Sequence, residues 1–118
     1  MIKALVFLTR KPGLTREQFI EYYETRHVPL ILRTFPETCG YRRNFIDHDS
    51  AALYSRGNLI DCDAIAELWY PDLAAYEAST RRYAEPGVAA AVAHDEDQVF
   101  DRSKTRFVLV DERVSQIG

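Results

Sequence analysis

With 118 residues the chain has the length of a single domain, over 1–118, that can bury a core without disulfide or metal staples. Its net charge of −3 is small and mixed in sign, which excludes the dense basic surface that nucleic acid requires. No apolar run is long enough to cross a membrane, and the opening MIKALVFLTRKPG lacks the apolar length and cleavage site of a signal peptide, so a soluble, cytoplasmic protein is expected.

Residues 2–10, IKALVFLTR, predict a β-strand with Leu5 and Phe7 on one side and Ala4, Val6 and Leu8 on the other. Both faces are apolar, which places the strand in the middle of a sheet. Lys11, Pro12 and Gly13 turn the chain into a helix over 15–33. Thr15 and Gln18 form a capping box at its start. Phe19, Tyr22, Tyr23, Arg26, His27 and Leu30 then recur on one face, so two phenols and an imidazole sit among apolar groups. Pro29 removes a backbone donor, which predicts a kink or break near His27.

Residues 34–40 interrupt the pattern. A second strand over 40–48 alternates Tyr41, Arg43 and Phe45 against Arg42, Asn44 and Ile46, and its polarity suits a sheet edge or a face that lines something wet. Residues 49–62 form a long loop of the kind that carries function in small domains, and are expected to act as a lid. A third strand over 64–70, AIAELWY, is apolar on both faces apart from Glu67 and is therefore central. Pro71 and Asp72 open a helix over 72–82 with Leu73 and Tyr76 on its inner face. An alanine-rich helix over 87–96 follows, then a long strand over 99–111 that is apolar on both sides at Phe107, Val108, Leu109 and Val110, and a tail, VSQIG, that is loose or an arm onto a partner.

The order β-α-β-β-α-β is the split βαβ, ferredoxin-like arrangement: an α+β fold with one four-stranded antiparallel sheet and its helices on one face. The other sheet face reads as apolar, and the chain has no further layer to cover it. Such a face left in water would be anomalous, so the sequence predicts a homodimer whose sheets pack face to face into a dimeric α+β barrel.

His27 is the leading candidate for chemistry. An imidazole titrates near neutrality, where abstraction of a proton beside a carbonyl is efficient. The competing reading is an imidazole that caps carbonyls freed by Pro29. Tyr41 would donate its phenol to an oxygen as charge develops there, or would simply pack. Tyr23, one turn before His27, would bond to His27 or to a ligand, or belong to the core. Glu67 is a carboxyl in an apolar strand, so its pKa should rise unless Arg43 or Arg106 pairs with it. Phe7 and Trp69 would shape a pocket wall, with a dimer contact as the alternative for Trp69.

His48 beside Asp47 and Asp49 reads as a polar strand end, because adjacent strand positions face opposite ways. His94 with Asp95, Glu96 and Asp97 reads as a solvated helix end. Cys39 and Cys62 have no metal-ligand spacing and read as reduced thiols. Neither a phosphate-binding loop nor a nucleophile elbow is present, so no nucleotide or metal cofactor is expected.

Three stretches carry a family resemblance. KPGLTREQFIEYYETRHVPL resembles the opening of EthD-domain proteins, within the dimeric α+β barrel superfamily. DAIAELWYPDLAAYEAS is similar to their third strand and second helix, and DEDQVFDRSKTRFVLVDE to their closing segment. The superfamily contains cofactor-free cyclases and dehydratases, lactone isomerases, small monooxygenases and haem degraders. The layout is also similar to that of methylmuconolactone methylisomerases, with a His near the end of the first helix and a Tyr at the start of the second strand. These match His27 and Tyr41, and the resemblance implies that both line a pocket between sheet and helices.

The combined expectation is a cofactor-independent acid–base enzyme, an isomerase, cyclase or dehydratase acting on a small cyclic, aromatic or lactone-type substrate. His27 would move the proton and Tyr41 polarise the oxygen, while Tyr23, Phe7, Trp69 and Glu67 would contact the substrate. The alternatives are a cofactor-free monooxygenase and a non-catalytic ligand-binding or accessory protein, with haem binding a weaker variant.

Overall fold

The computed structural model describes residues 1–51 and 60–118. Strand β1 spans Ile2–Leu8, β2 Gly40–Phe45, β3 Ala64–Tyr70 and β4 Arg106–Val110. They form one antiparallel sheet in the order β2-β3-β1-β4. The two strands read as central from their double apolar faces are the central ones, and the polar Gly40–Phe45 strand is an edge. Helices α1 (Arg16–Tyr22), α2 (Val28–Thr34), α3 (Leu73–Tyr83) and α4 (Pro86–Val99) lie on one face of the sheet. The architecture is α+β and ferredoxin-like.

Register fixes which side chains meet. Ala4, Val6 and Leu8 of β1 stand beside Leu68, Ala66 and Ala64 of β3. These residues face the helices, and Leu8, Ala64 and Ala66 join Phe19, Tyr23, Val28, Val99 and Phe100 in the core. Leu5 and Phe7 stand beside Glu67 and Ile65 on the opposite face, which no helix among the described residues covers.

The expected first helix is two helices joined by a π-turn over Tyr23–His27. Its start is capped as anticipated: Thr15 Oγ1 accepts from the Gln18 amide at 3.1 Å, and Gln18 Oε1 accepts from the Thr15 amide at 2.9 Å. Pro29 has no amide hydrogen to continue an α-ladder. The chain answers with one wider turn, in which the Val28 amide donates to the Tyr23 carbonyl. The discontinuity is a change of register that keeps the helical direction and buries Tyr23, His27 and Val28.

Two other boundaries differ from the expectation. The alanine-rich helix runs three residues past its predicted end, to Val99, because Asp95 and Glu96 have partners within the fold and do not terminate it. The last strand starts at Arg106, since Asp101 caps a short 3-10 turn over Arg102–Lys104 by accepting from the Ser103 amide. Phe100 instead makes an isolated bridge to Arg10. On α3, Asp72 caps the first turn at 2.8 Å from the Ala75 amide, and Leu73 is exposed where an inner-face position was expected. Of the anticipated lid, residues 52–59 lie outside the described residues.

Candidate functional site

A cavity of about 480 Å³ lies between the helices and the sheet. Its floor is formed by Val6, Leu8, Ala66 and Leu68, and the small Ala66 on a central strand leaves room where a larger side chain would close it. Walls come from the π-turn, α3 and α4. Tyr83 and Phe107, both on the lining, are 44% and 47% exposed, so the cavity reaches the surface there. The size and apolar floor suit a small organic molecule.

The π-turn delivers His27 to this cavity. Its ring is buried and held edge-on between Tyr23 and Phe100, at centroid distances of 5.1 Å and 5.0 Å. His27 Nδ1 lies 2.7 Å from Asp95 Oδ2, and the Tyr22 hydroxyl donates to Asp95 Oδ1 at 3.0 Å. An ionised carboxylate only accepts, so Nδ1 carries the ring proton and Nε2 the lone pair. Among the described residues Nε2 has no hydrogen-bond partner. Burial lowers the imidazole pKa below its ordinary value, and Asp95 opposes that shift only in part. The ring is therefore neutral at pH 7, with its free nitrogen able to accept a proton.

Two phenols stand next to it. The Tyr23 and Tyr41 hydroxyls are 3.1 Å apart, and both residues line the cavity. Burial pushes the Tyr41 phenol up to about 12 and holds the Tyr23 phenol well above its usual value. Both stay protonated, so they serve as donors. If Tyr23 donates to Tyr41, the Tyr41 proton is left for a ligand oxygen. Arg43 fixes the Tyr41 ring from one side, with its guanidinium 5.1 Å from the ring centroid. Glu24 holds that guanidinium through two bonds, at 3.0 and 2.6 Å.

The acidic run on α4 is where the sequence reading failed. Asp95 and Glu96 are not solvated: their side chains are 12% and 15% exposed, the first bonded to His27 and the second lining the cavity. Burial pushes the Glu96 carboxyl up to about 7, only partly offset by Arg102. A signal was available. Val92, Asp95, Glu96 and Val99 follow the i, i+3, i+4, i+7 spacing of a buried helix face, with Val92 and Val99 fully in the core.

Of the six side chains expected at the site, the structure brings together His27, Tyr41 and Tyr23. Phe7, Glu67 and Trp69 do not reach the cavity, because alternation along β1 and β3 sends them to the uncovered face. Glu67 is paired with neither Arg43 nor Arg106. Lys3 Nζ lies 2.8 Å from its Oε1, and Asn44 Nδ2 donates to its Oε2 at 3.1 Å. The expected rise in its pKa is reversed: the Lys3 and Asn44 bonds hold the carboxyl below the usual carboxylate range. Trp69 lies under Lys3 and Arg42, at 4.6 Å and 5.3 Å from the ring centroid. His48 bonds across the chain to Asp63 at 2.9 Å. Among the described residues no three His, Cys, Asp or Glu side chains converge as a metal site would need.

Comparison with known proteins gives the same picture of the fold. An EthD family protein from Bacillus halodurans is 18% identical, covers 96% of this chain and 100% of its own, and superposes with a TM-score of 0.62. SnoaB, a cofactor-independent oxygenase from Streptomyces nogalater, is 13% identical over 97% of this chain and 94% of its own, with a TM-score of 0.59. HapK from Hahella chejuensis is 8% identical over 100% and 98% of the two chains, with a TM-score of 0.63. At these identities the likeness is one of fold. No curated protein matches the chain in sequence. The EthD domain model matches residues 11–103, from the turn before α1 to the 3-10 turn after α4, and the chain therefore belongs to the EthD domain family.

Proposed function

We propose that this chain is an acid–base enzyme, working without a cofactor, that moves a proton on a small cyclic, aromatic or lactone-type compound held in the cavity. Isomerisation, cyclisation and dehydration all begin with that step. The observation that supports it most is the His27–Asp95 pair at 2.7 Å, on the wall of a cavity of about 480 Å³. Asp95 holds the proton on Nδ1, and Nε2 takes a proton from carbon next to a substrate carbonyl. The electron pair of that C–H bond moves to the carbonyl oxygen, where the Tyr41 hydroxyl donates to the growing charge. The imidazolium formed is stabilised by Asp95 and returns its proton to the substrate, or to a leaving oxygen in a dehydration.

Hydrogen exchange tests this without a known substrate. The bicyclic ketone 1-tetralone in D2O should gain deuterium at the carbon beside its carbonyl, faster with the protein than without, as followed by proton NMR. Acid should slow the reaction only below the ordinary imidazole range, since burial lowers the His27 pKa. Binding of the ketone with no added exchange would replace this reading by that of a ligand-binding protein.

A second reading is an oxygenase, favoured by the fold shared with SnoaB, a cofactor-independent oxygenase. The same base would then generate a carbanion that reacts directly with O2. Oxygen uptake during turnover separates the two.

The reading includes a homodimer through the uncovered sheet face. Val108 is 43% exposed there, beside the half-buried Leu5. Dimers at micromolar concentration in analytical sedimentation, weakened by Val108→Asp, are the expected result.

A further inference from the structure

A single base returns a proton to the carbon it came from, or to an atom within its own reach. Moving a proton between two separate atoms of a rigid ring calls for a second group on the cavity wall, one that starts protonated. Glu96 stands where such a group is needed. It follows Asp95 on α4, and successive helix residues lie about 100° apart around the axis. One side chain therefore holds His27 Nδ1 at 2.7 Å, while the next belongs to the cavity lining. The cation nearest to Glu96 is shared: Arg102 Nε lies 3.6 Å from Glu96 Oε1, and Arg102 Nη1 lies 3.6 Å from Asp97 Oδ1. The Arg102 side chain is also 40% exposed, so it offsets the burial of Glu96 only in part. Asp95 and Asp97, the acids on either side, both favour a protonated Glu96. From β2, Tyr41 is near enough for its phenol to feel the Glu96 charge.

We propose that Glu96 is a second proton-transfer residue of the cavity, which delivers a proton to a substrate atom other than the carbon that His27 deprotonates. This deepens the acid–base reading and rests on it. A ketone with a double bond one carbon removed from its carbonyl shows the balance. His27 Nε2 takes a proton from the carbon between the two groups. The C–H electron pair becomes a new double bond, and the carbonyl electrons move onto the oxygen beside Tyr41. As the carbonyl re-forms, the far carbon of this dienolate takes the Glu96 proton. Glu96 is left as carboxylate and His27 as imidazolium, and one proton passed through solvent at the cavity mouth restores both. Burial pushes the Glu96 carboxyl up to about 7, so both of its forms are present near neutrality. His27 is neutral there, and Tyr41, at about 12, keeps its proton.

The probe is cyclohex-3-en-1-one in D2O, followed by proton NMR. Deuterium at the carbon between carbonyl and double bond reports the base alone. Conversion to cyclohex-2-en-1-one also needs a donor at the far carbon. The ratio of conversion to exchange should fall by about 10²-fold in Glu96→Gln. In the wild type the ratio should fall as pH rises through about 7, where Glu96 loses its proton and neither His27 nor Tyr41 changes charge. A ratio kept by folded Glu96→Gln would overturn the second donor. So would a wild-type ratio that stays flat through that range, a result that needs no variant to fold. Exchange of 1-tetralone, with cyclohex-3-en-1-one converted no faster than without protein, would leave the acid–base reading standing and remove this one. Exchange of neither ketone would overturn both.

Discussion

Two carboxyls on opposite faces of the sheet show what the covering layer does. Glu67 sits in a central strand among Ile65 and Trp69, the setting in which a raised pKa is expected. Its face is open, Lys3 and Asn44 bond to it, and it is held below the usual carboxylate range. Glu96 sits on a helix in an acidic run, the setting of a solvated charge. Helix α4 turns it towards the cavity, Arg102 stands 3.6 Å away and offsets the burial only in part, and burial pushes it up to about 7. The chemistry of a carboxyl here follows from what lies over it and which partners the register supplies, not from the residues beside it in the chain. The open face carries the Lys3–Glu67 pair, and the covered face the His27–Asp95 pair.

The largest test of that contrast is at His27. His27→Gln keeps a polar side chain of similar size and removes the base, and deuterium exchange into 1-tetralone should fall by roughly 10²–10⁴-fold. Exchange at the wild-type rate would reduce the covered face to a lined void.

The two carboxyls should also differ in sign as stability is followed with pH. Glu96 has a raised pKa when folded, so its favourable contribution is complete below about 4.5 and is lost as pH rises through about 7. Glu96→Gln should therefore raise stability at pH 8 relative to pH 4.5, by roughly 2–3 kcal/mol in urea titrations. Glu67 has a lowered pKa, so its contribution is present above about 4.5 and is lost on acidification. Glu67→Gln should lower stability at pH 8 by about 1 kcal/mol or less, since the pair is partly exposed. Shifts of the same sign would mean that both carboxyls see the same surroundings.

Smaller effects sharpen the picture. Tyr41→Phe should slow exchange about tenfold, with ligand affinity nearly unchanged, if the phenol acts mainly as charge develops. Gly40→Ala probes the open face. A Cβ there would lie 3.0 Å from Trp69 Cε3, so the indole must shift, and the expected loss is below about 1 kcal/mol in a urea midpoint.

Strand alternation made much of the fold legible. Double apolar faces marked β1 and β3 as central, and polarity marked β2 as an edge, but β4 is apolar on both sides too and forms the other edge. The same alternation could sort Phe7, Glu67 and Trp69 away from Val6, Ala66 and Leu68, but it could not say which set the helices cover. That choice depends on the crossing of whole elements, which no local pattern records. His27 was singled out as an inward imidazole beside Pro29, and Tyr41 by the resemblance to methylmuconolactone methylisomerases, since a phenol at a strand start alone reads equally well as packing; both line the cavity. Asp95 was missed because its neighbours are acidic. The helical spacing from Val92 to Val99 that places it inward was outweighed by the charge of the run.

The π-turn at Tyr23–His27 has a consequence for how this site can be altered. It holds one more residue than an α-turn, which puts everything after it about 100° out of phase with α1. Deleting the exposed Thr25 would remove the extra residue of the turn while leaving Pro29 without an amide to offer the ladder. It would also swing His27 around the axis relative to Tyr23, away from Asp95 and the cavity. The information in these five residues is thus partly their number, and a scan of substitutions, each preserving length, would leave that part unread.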